Sequence, residues 1–364
     1  MIIPKINFNL PKKNSVLIFD HLHAKILEDM IKPNKTFIIN IRNSVNLFAG
    51  FYALFFFYRS SFKIEYINFF LKKSKTKLLV SFGFKRIILY NLKKYNPDVK
   101  FIAIQSGSYD RKFLSLLKKN NHQKLFCDYF FCYSNLHKKT LSKFINANYI
   151  TAGSIFNNYY KINNRNKKKE AIFISQYRKN ILDVENKHHF PLEYIRKGER
   201  FILPILYKFC LKNNLKLSIL PGEPNIQEQK KHYSKILNNK NFYIYKRDIT
   251  KSYNIIDKVT FSVSISSTLG YEAIARGIKT CIVTCNNFIG PKFKNQIQIG
   301  NTFLDKQSEF YVSHCDGRKL NKTFFNLLKL SNSKYREINN SKEFMEYDAK
   351  NSKLSLTIKN IINN

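Results

Sequence analysis

Tryptophan is absent from these 364 residues, and acids are scarce: 24 Asp and Glu stand against 63 Lys and Arg, a formal net charge of +39. Such an imbalance implies attraction to polyanions, whether nucleic acid, acidic lipid or nucleotide-charged substrates. The lysines are spread along the chain rather than gathered in one tail, and zinc-finger spacing, an RNA-binding aromatic signature and a basic zipper are all missing. No specific nucleic-acid partner is therefore expected. The six cysteines, Cys127, Cys132, Cys210, Cys281, Cys285 and Cys315, fall in no zinc-site spacing. They read as free thiols inside cores, which suits a reducing compartment, and no metal site is expected. The first fourteen residues lack the apolar core of a signal peptide. The longest apolar run, residues 47–58, is too short to span a bilayer. It is flanked by Arg42 and Arg59 and has two readings: a buried helix of the first domain, or a helix lying in an anionic membrane interface. The expected location is cytoplasmic, with peripheral association at the inner face of the cytoplasmic membrane.

What the chain does have is 44% apolar residues, arranged as short runs alternating with helix-length segments. That alternation indicates βα units and mostly parallel sheets. Strands are predicted at 16–19, 36–41, 78–81, 100–105, 129–133 and 149–151, with helices over 42–58, 64–71, 83–95 and 134–144. A polar, charged stretch at 161–170 reads as a linker. The alternation then restarts, with strands at 171–174, 215–220, 242–245, 259–265 and 279–284, and helices over 199–212, 227–237, 269–276 and 320–330. The expected organisation is an N-terminal domain over 1–160, the linker over 161–170, a second domain over 171–340 and a C-terminal tail or helix over 341–364.

One turn stands out. Ser266, Ser267 and Thr268 sit between a predicted strand and a predicted helix, at the strand end where α/β folds bind ligands. A helix start presents backbone N–H groups and a positive dipole end, both favourable to phosphate. Gly270 lets a ligand or a neighbouring strand come close. Glu272 lies one turn into the helix on the face of Thr268, where a carboxylate suits a ribose rather than a phosphate. Taken alone, the pattern also fits an ordinary helix cap. Similar polar clusters end other predicted strands: Ser175-Gln176 with Arg178, Gly222-Glu223, and Gln105-Ser106-Gly107.

The segment Ser267-Thr268-Leu269-Gly270-Tyr271-Glu272, the pair Ser175-Gln176, and Ile104-Gln105-Ser106-Gly107 together resemble a group of GT-B glycosyltransferases of bacterial surface-carbohydrate biosynthesis. More distantly, the double-serine turn is similar to that of capsule Kdo transferases and polysialyltransferases, whose donors are CMP-linked. The resemblance extends loosely over residues 65–330. It implies an α/β fold of the GT-B type, with two Rossmann-like parallel-sheet domains facing a central cleft. It also implies a metal-independent enzyme with no cofactor, whose nucleotide-sugar donor is a substrate and whose acceptor is a growing surface polysaccharide or lipid-linked glycan.

Such a transferase must hold the nucleotide leaving group, and Ser266, Ser267, Thr268, Gly270, Glu272, Ser175, Gln176, Arg178, Gly222 and Glu223 are the candidates. It must also take a proton from the acceptor. Asp20, His21 and His23 follow the first predicted strand and are the candidate general bases. Gln105, Ser106 and Gly107 are candidates for the acceptor side of the cleft. Two alternatives remain open: a teichoic-acid type transferase using a CDP-polyol, and a basic nucleic-acid-binding protein.

Overall fold

A computed structural model describes residues 5–14, 16–19, 24–31, 35–39, 44–107, 109, 111–120, 125–163, 167–177, 193–238, 241–289, 310–338 and 344–363. Strands β1 (Lys5–Asn7) and β4 (Ser44–Asn46) pair as a small parallel ribbon. Strands β2 (Val16–Phe19), β3 (Thr36–Ile39), β5 (Leu78–Ser81), β6 (Lys100–Ile104), β7 (Leu125–Cys132) and β8 (Ile145–Thr151) form a six-stranded sheet in the order β3-β2-β5-β6-β7-β8. Strands β9 (Glu170–Ile174), β10 (Lys216–Leu220), β11 (Tyr243–Ile244), β12 (Phe261–Ile265), β13 (Thr280–Val283) and β14 (Tyr311–Val312) form a second sheet in the order β11-β10-β9-β12-β13-β14. Every pairing in both sheets is parallel. This is the expected α/β class, with two Rossmann-like domains.

The strand sequences follow from burial on two faces. β2 is Val-Leu-Ile-Phe and β9 is Glu-Ala-Ile-Phe-Ile, buried throughout, because helices cover both sides of a parallel sheet. β12 is more instructive. Phe261, Val263 and Ile265 face the core beneath the helix Glu193–Lys212, where Ile202, Leu203 and Leu206 meet them. Ser262 and Ser264 alternate with them, as the two-residue period of a strand requires. These small side chains let the helix Thr268–Ala275 approach: a Cβ on Gly270 would lie 2.7 Å from Ser264 and 2.9 Å from Ile282.

The first domain contains the described residues up to Gly107, Phe113–Tyr159 and the segment from Asp348 onward, and the second is built mainly of Tyr160–Tyr347. The final helix, Ser352–Asn363, is therefore part of the first domain. Its Leu354, Ile358 and Ile361 join the core with Ile26 and Leu27. Asn351 fastens it by donating to the Ile155 carbonyl at 2.9 Å.

Residues 161–163 and 167–170, expected as a linker, are bonded to the second domain. The Asn163 N–H donates to Asp257 Oδ2 at 2.7 Å, and Lys167 Nζ donates to the Asp257 carbonyl at 2.7 Å. Asp257 also forms a fully buried pair with Arg276, which donates to its two carboxylate oxygens at 2.7 and 2.6 Å. Arg276 spends its remaining donors on the carbonyls of Tyr160 and Lys161, at 3.0 and 3.1 Å. Polar composition had suggested a linker; instead backbone groups and the Lys167 ammonium find partners in the second domain.

The run 47–58 also departs from expectation. It is not one helix with residues 42–46, because Ser44–Asn46 is strand and Asn46 caps a helix Leu47–Phe56, accepting from Ala49 N at 3.0 Å. Nor is that helix buried. Only Ala49 and Ala53 are covered, while Phe51, Leu54, Phe55 and Tyr58 stand 52–72% exposed.

Two expectations about stability follow. Replacing Arg276 by Met leaves the Asp257 carboxylate buried without its partner, at a cost of about 3–5 kcal/mol; chemical denaturation of Arg276→Met would show it, and a loss under about 1 kcal/mol would contradict it. His137, on the helix Asn135–Leu141 that follows β7, is buried against Ser134, whose Oγ lies 2.9 Å from its Nδ1. Burial pushes the imidazole down to about 4. An unfolded chain takes up that proton near pH 6.5, so the folded state should lose up to about 3 kcal/mol as pH falls from about 6.5 to 4. His137→Gln should flatten this part of the stability curve, and an unchanged curve would refute the assignment.

Candidate functional site

The order of the second sheet reverses between β9 and β12, its two central neighbours. Chain leaving β9 connects toward one edge and chain leaving β12 toward the other, so a crevice opens at their carboxyl ends. The residues found there are Ser175-Gln176-Tyr177 after β9 and Ser266-Ser267-Thr268 after β12.

Ser266 holds a left-handed backbone, φ 54°, which is uncommon outside glycine. Its side chain is 3% exposed, and its Oγ is a buried polar atom with no hydrogen-bond partner among the described residues. A buried hydroxyl without a partner costs about 1–3 kcal/mol, so this atom is an acceptor and donor held ready at the helix start. Ser267 caps the helix in extended geometry, and its N–H donates to Ser264 Oγ at 3.2 Å. Thr268 and Leu269, half-buried, begin the helix, where N–H groups have no intrahelical acceptor. Gly270 faces the neighbouring strands, so of its two expected roles the packing one is observed. Glu272 points inward, 5% exposed, and its Oε2 accepts from Tyr253 Oη at 2.9 Å.

Gln176 donates from its amide to the Ile265 carbonyl, joining the ends of β9 and β12. Ser175 Oγ accepts from the Tyr177 N–H at 2.9 Å and shares a hydrogen bond with Tyr233 Oη. Gly222 ends β10 where a Cβ would meet the Tyr177 and Ser175 carbonyls at 2.9 and 3.0 Å. Its carbonyl accepts from Arg247. Glu223, half-buried, follows it, and its carbonyl accepts from Gln229 at 2.6 Å.

A buried carboxylate behind this crevice escaped the sequence reading. Glu199 is fully enclosed; its Oε1 accepts from Tyr233 Oη at 3.0 Å and its Oε2 lies 3.2 Å from His232 Nε2. Burial first, then the Glu199 charge, push the Tyr233 phenol well above its ordinary range. Tyr177 stacks on His232, ring centres 4.4 Å apart, with the Arg196 guanidinium 5.8 Å from the Tyr177 ring centre. The one available signal was a glutamate on the apolar face of a helix otherwise bearing Ile195, Ile202 and Leu206.

In the first domain, Gln105 is fully buried and spans two strand ends. Its Oε1 accepts from the Tyr133 N–H at 3.0 Å and its Nε2 donates to the Gly107 carbonyl at 3.1 Å. Ser106 Oγ donates to the Phe82 carbonyl at 2.9 Å. These side chains tie β6 to its neighbours. Gly107 has open space where a Cβ would stand. Asp20, His21, His23 and Arg178 lie outside the described residues. Among the described residues, no group of three or more His, Cys, Asp or Glu is placed to hold a metal.

Residues 102–362 match a family described as "putative O-antigen biosynthesis protein". No curated protein matches the chain. Among solved structures, a "putative UDP-N-acetylglucosamine 2-epimerase" of Listeria monocytogenes is 11% identical, covers 97% of each chain and superposes with a TM-score of 0.56. The UDP-GlcNAc 2-epimerase of Methanocaldococcus jannaschii is 12% identical, covers 95% of this chain and 99% of its own, and gives 0.52. At such identities what is shared is the fold. A TarM variant of S. aureus, solved with fondaparinux, alpha-GlcNAc-glycerol and UDP, is 13% identical with a TM-score of 0.48; the match covers 83% of this chain and 59% of TarM.

The two glycines of the sequence motifs should respond oppositely to alanine. Gly270→Ala forces a Cβ into Ser264 and Ile282 and should cost about 1–3 kcal/mol. Gly107→Ala should stay within about 0.5 kcal/mol. Equal effects in urea denaturation would sink this account of the Thr268–Ala275 helix.

Proposed function

The chain belongs to the family of O-antigen biosynthesis proteins, and from that membership we propose a glycosyltransferase that moves a sugar from a nucleotide-activated donor to a surface glycan or its lipid-linked precursor. The observation that carries the reading is the Ser266 hydroxyl, buried at a helix start in the second domain's crevice with no partner among the described residues. A leaving phosphate there would meet the Ser266, Ser267 and Thr268 hydroxyls and the first N–H groups of the helix, so charge developing on it meets donors already in place. Arg178 follows Ser175 and Gln176 in the chain and is assigned to the same phosphate or to a donor carboxylate. Glu272 is assigned to the ribose and Glu223 to base or ribose, while Gly222, also a candidate from the sequence, packs against the Tyr177 and Ser175 carbonyls and leaves no space of its own for a ligand.

In the transfer, the bond from the anomeric carbon to the phosphate oxygen breaks and a bond to the acceptor oxygen forms. The acceptor proton passes to a base, for which Asp20, His21 and His23, next in sequence after β2, are the assigned candidates. The reading is metal-independent and needs no cofactor, since helix start and arginines supply the positive charge. The exposed apolar face of Leu47–Phe56 and its cationic surroundings support peripheral attachment to an anionic membrane. None of the described helices is long and apolar enough to cross one.

A second reading has one observation behind it: the end-to-end match to epimerases. An epimerase would convert a UDP-sugar with no acceptor present, whereas a transferase releases the nucleotide only as sugar moves to an acceptor or to water.

Calorimetry with CMP, CDP, UDP and GDP should be run near physiological salt, because a strongly cationic protein holds any anion at low salt. One base should be preferred, and Ser267→Ala should weaken it about tenfold, as expected for a hydrogen bond to a charged group, without moving the melting midpoint. Equal binding of all four, unchanged in the variant, would overturn the assignment.

A further inference from the structure

The first sheet has its own reversal of strand order, between β2 and β5. By the same rule its ligand crevice lies at their carboxyl ends. A cavity of about 490 Å³ is found there. Phe19, the last residue of β2, forms part of its wall, and Val45, Phe62, Tyr66, Ile67 and Ile88 contribute most of the rest. Two cations complete it: Lys63, exposed, and Arg86, whose guanidinium lies 5.3 Å from the centre of the Phe19 ring.

The cavity adjoins the apolar surface of the first domain. Val45 and Phe62 belong to both: they line the cavity and are 38% and 43% exposed. Beyond them the helix Leu47–Phe56 presents Phe48, Phe51, Leu54 and Phe55 to solvent, and Phe8 packs edge-on against Phe48. Exposed apolar surface of this extent marks an interaction site. The surrounding charge selects the partner. Between residues 31 and 97 the chain has thirteen Lys or Arg and a single acid, Glu65. Glu65 is buried and accepts from Ser60 Oγ at 2.7 Å. A second copy of this face would bring like charges together, and a nucleic acid has no use for a row of exposed phenylalanines. An anionic lipid leaflet matches both features.

We propose that the cavity holds the apolar chain of a phosphate-bearing amphiphile drawn from such a leaflet, with its phosphate against Lys63 and Arg86. The assignment rests on the transferase reading only in taking this amphiphile as the acceptor's carrier; binding itself does not depend on that reading.

The absence of tryptophan makes the test direct. Phe62→Trp places a single indole at the cavity mouth. Farnesyl phosphate below its micelle concentration should shift its emission to the blue and saturate. Farnesol should bind about tenfold more weakly, and inorganic phosphate should give no shift. In the Phe62→Trp background, Lys63→Glu should weaken farnesyl phosphate and leave farnesol unchanged. Ile88→Phe, filling the cavity, should weaken both while circular dichroism and melting stay unaltered. Flotation with phosphatidylcholine vesicles, with and without phosphatidylglycerol, separates the surface from the cavity. Phe51→Ser with Phe55→Ser should abolish binding to anionic vesicles and spare farnesyl phosphate. Vesicle binding without saturable farnesyl phosphate binding overturns the cavity assignment, as does equal affinity for farnesol and farnesyl phosphate. Failure of nucleotide binding with farnesyl phosphate binding intact would sink the transferase reading alone.

Discussion

The buried pair between Arg276 and Asp257 fixes the frame on which the second domain's crevice stands. Taking two charges out of water is costly unless geometry and further hydrogen bonds compensate. Here two donors of Arg276 meet the carboxylate, two meet the Tyr160 and Lys161 carbonyls, and Asn163 completes the carboxylate. Arg276 also ends the helix that begins at Ser267, and Gly277 follows in the left-handed conformation, φ 76°, that closes helices. One side chain therefore locks the far end of the helix Thr268–Ala275, the entry segment of the domain and the approach to β9. The turn at Ser266 can hold its unfavourable backbone because both of its flanks are immobilised.

The two sheets obey one topological rule and fill it with opposite chemistry. At the β9–β12 reversal the strand ends carry polar groups, Ser175-Gln176-Tyr177 and Ser266-Ser267-Thr268. At the β2–β5 reversal the walls are aromatic and aliphatic with cations at the rim. Polar donors suit a nucleotide and an apolar wall suits a hydrocarbon chain. What distinguishes the two crevices is what each strand end carries, since both sheets are six-stranded, parallel and reverse once in strand order.

Except for the two-residue β14, which was not predicted, the sheet strands were legible because a strand buried on both faces is a short apolar run and little else in a polar chain resembles it. Motif turns were legible for the same reason, as polar punctuation after such runs. Three features were not. Residues 47–58 read equally as buried or exposed, since an apolar helix of that length has no polar face to orient it; Asn46 and the small residues Ala49 and Ala53 decide the matter through contacts distant in sequence. Gln105 sits at a strand end like a ligand-binding residue, yet its amide is directed to backbone groups 2 and 28 residues away. Glu199 was invisible because its partners, Tyr233 and His232, arrive from another helix.

The return of the final helix to the first domain has a consequence for biosynthesis. Ile26 and Leu27 emerge from the ribosome long before their neighbours Leu354, Ile358 and Ile361. Domains generally fold as units during synthesis. The second domain is nearly continuous in sequence and can close as soon as it is made, whereas one wall of the first domain's core stays open until the residues from Asp348 onward have followed it. The half-built domain must pass that interval with an apolar core edge and an apolar outer face both uncovered, a window in which a chaperone or the membrane surface itself would be the natural shelter.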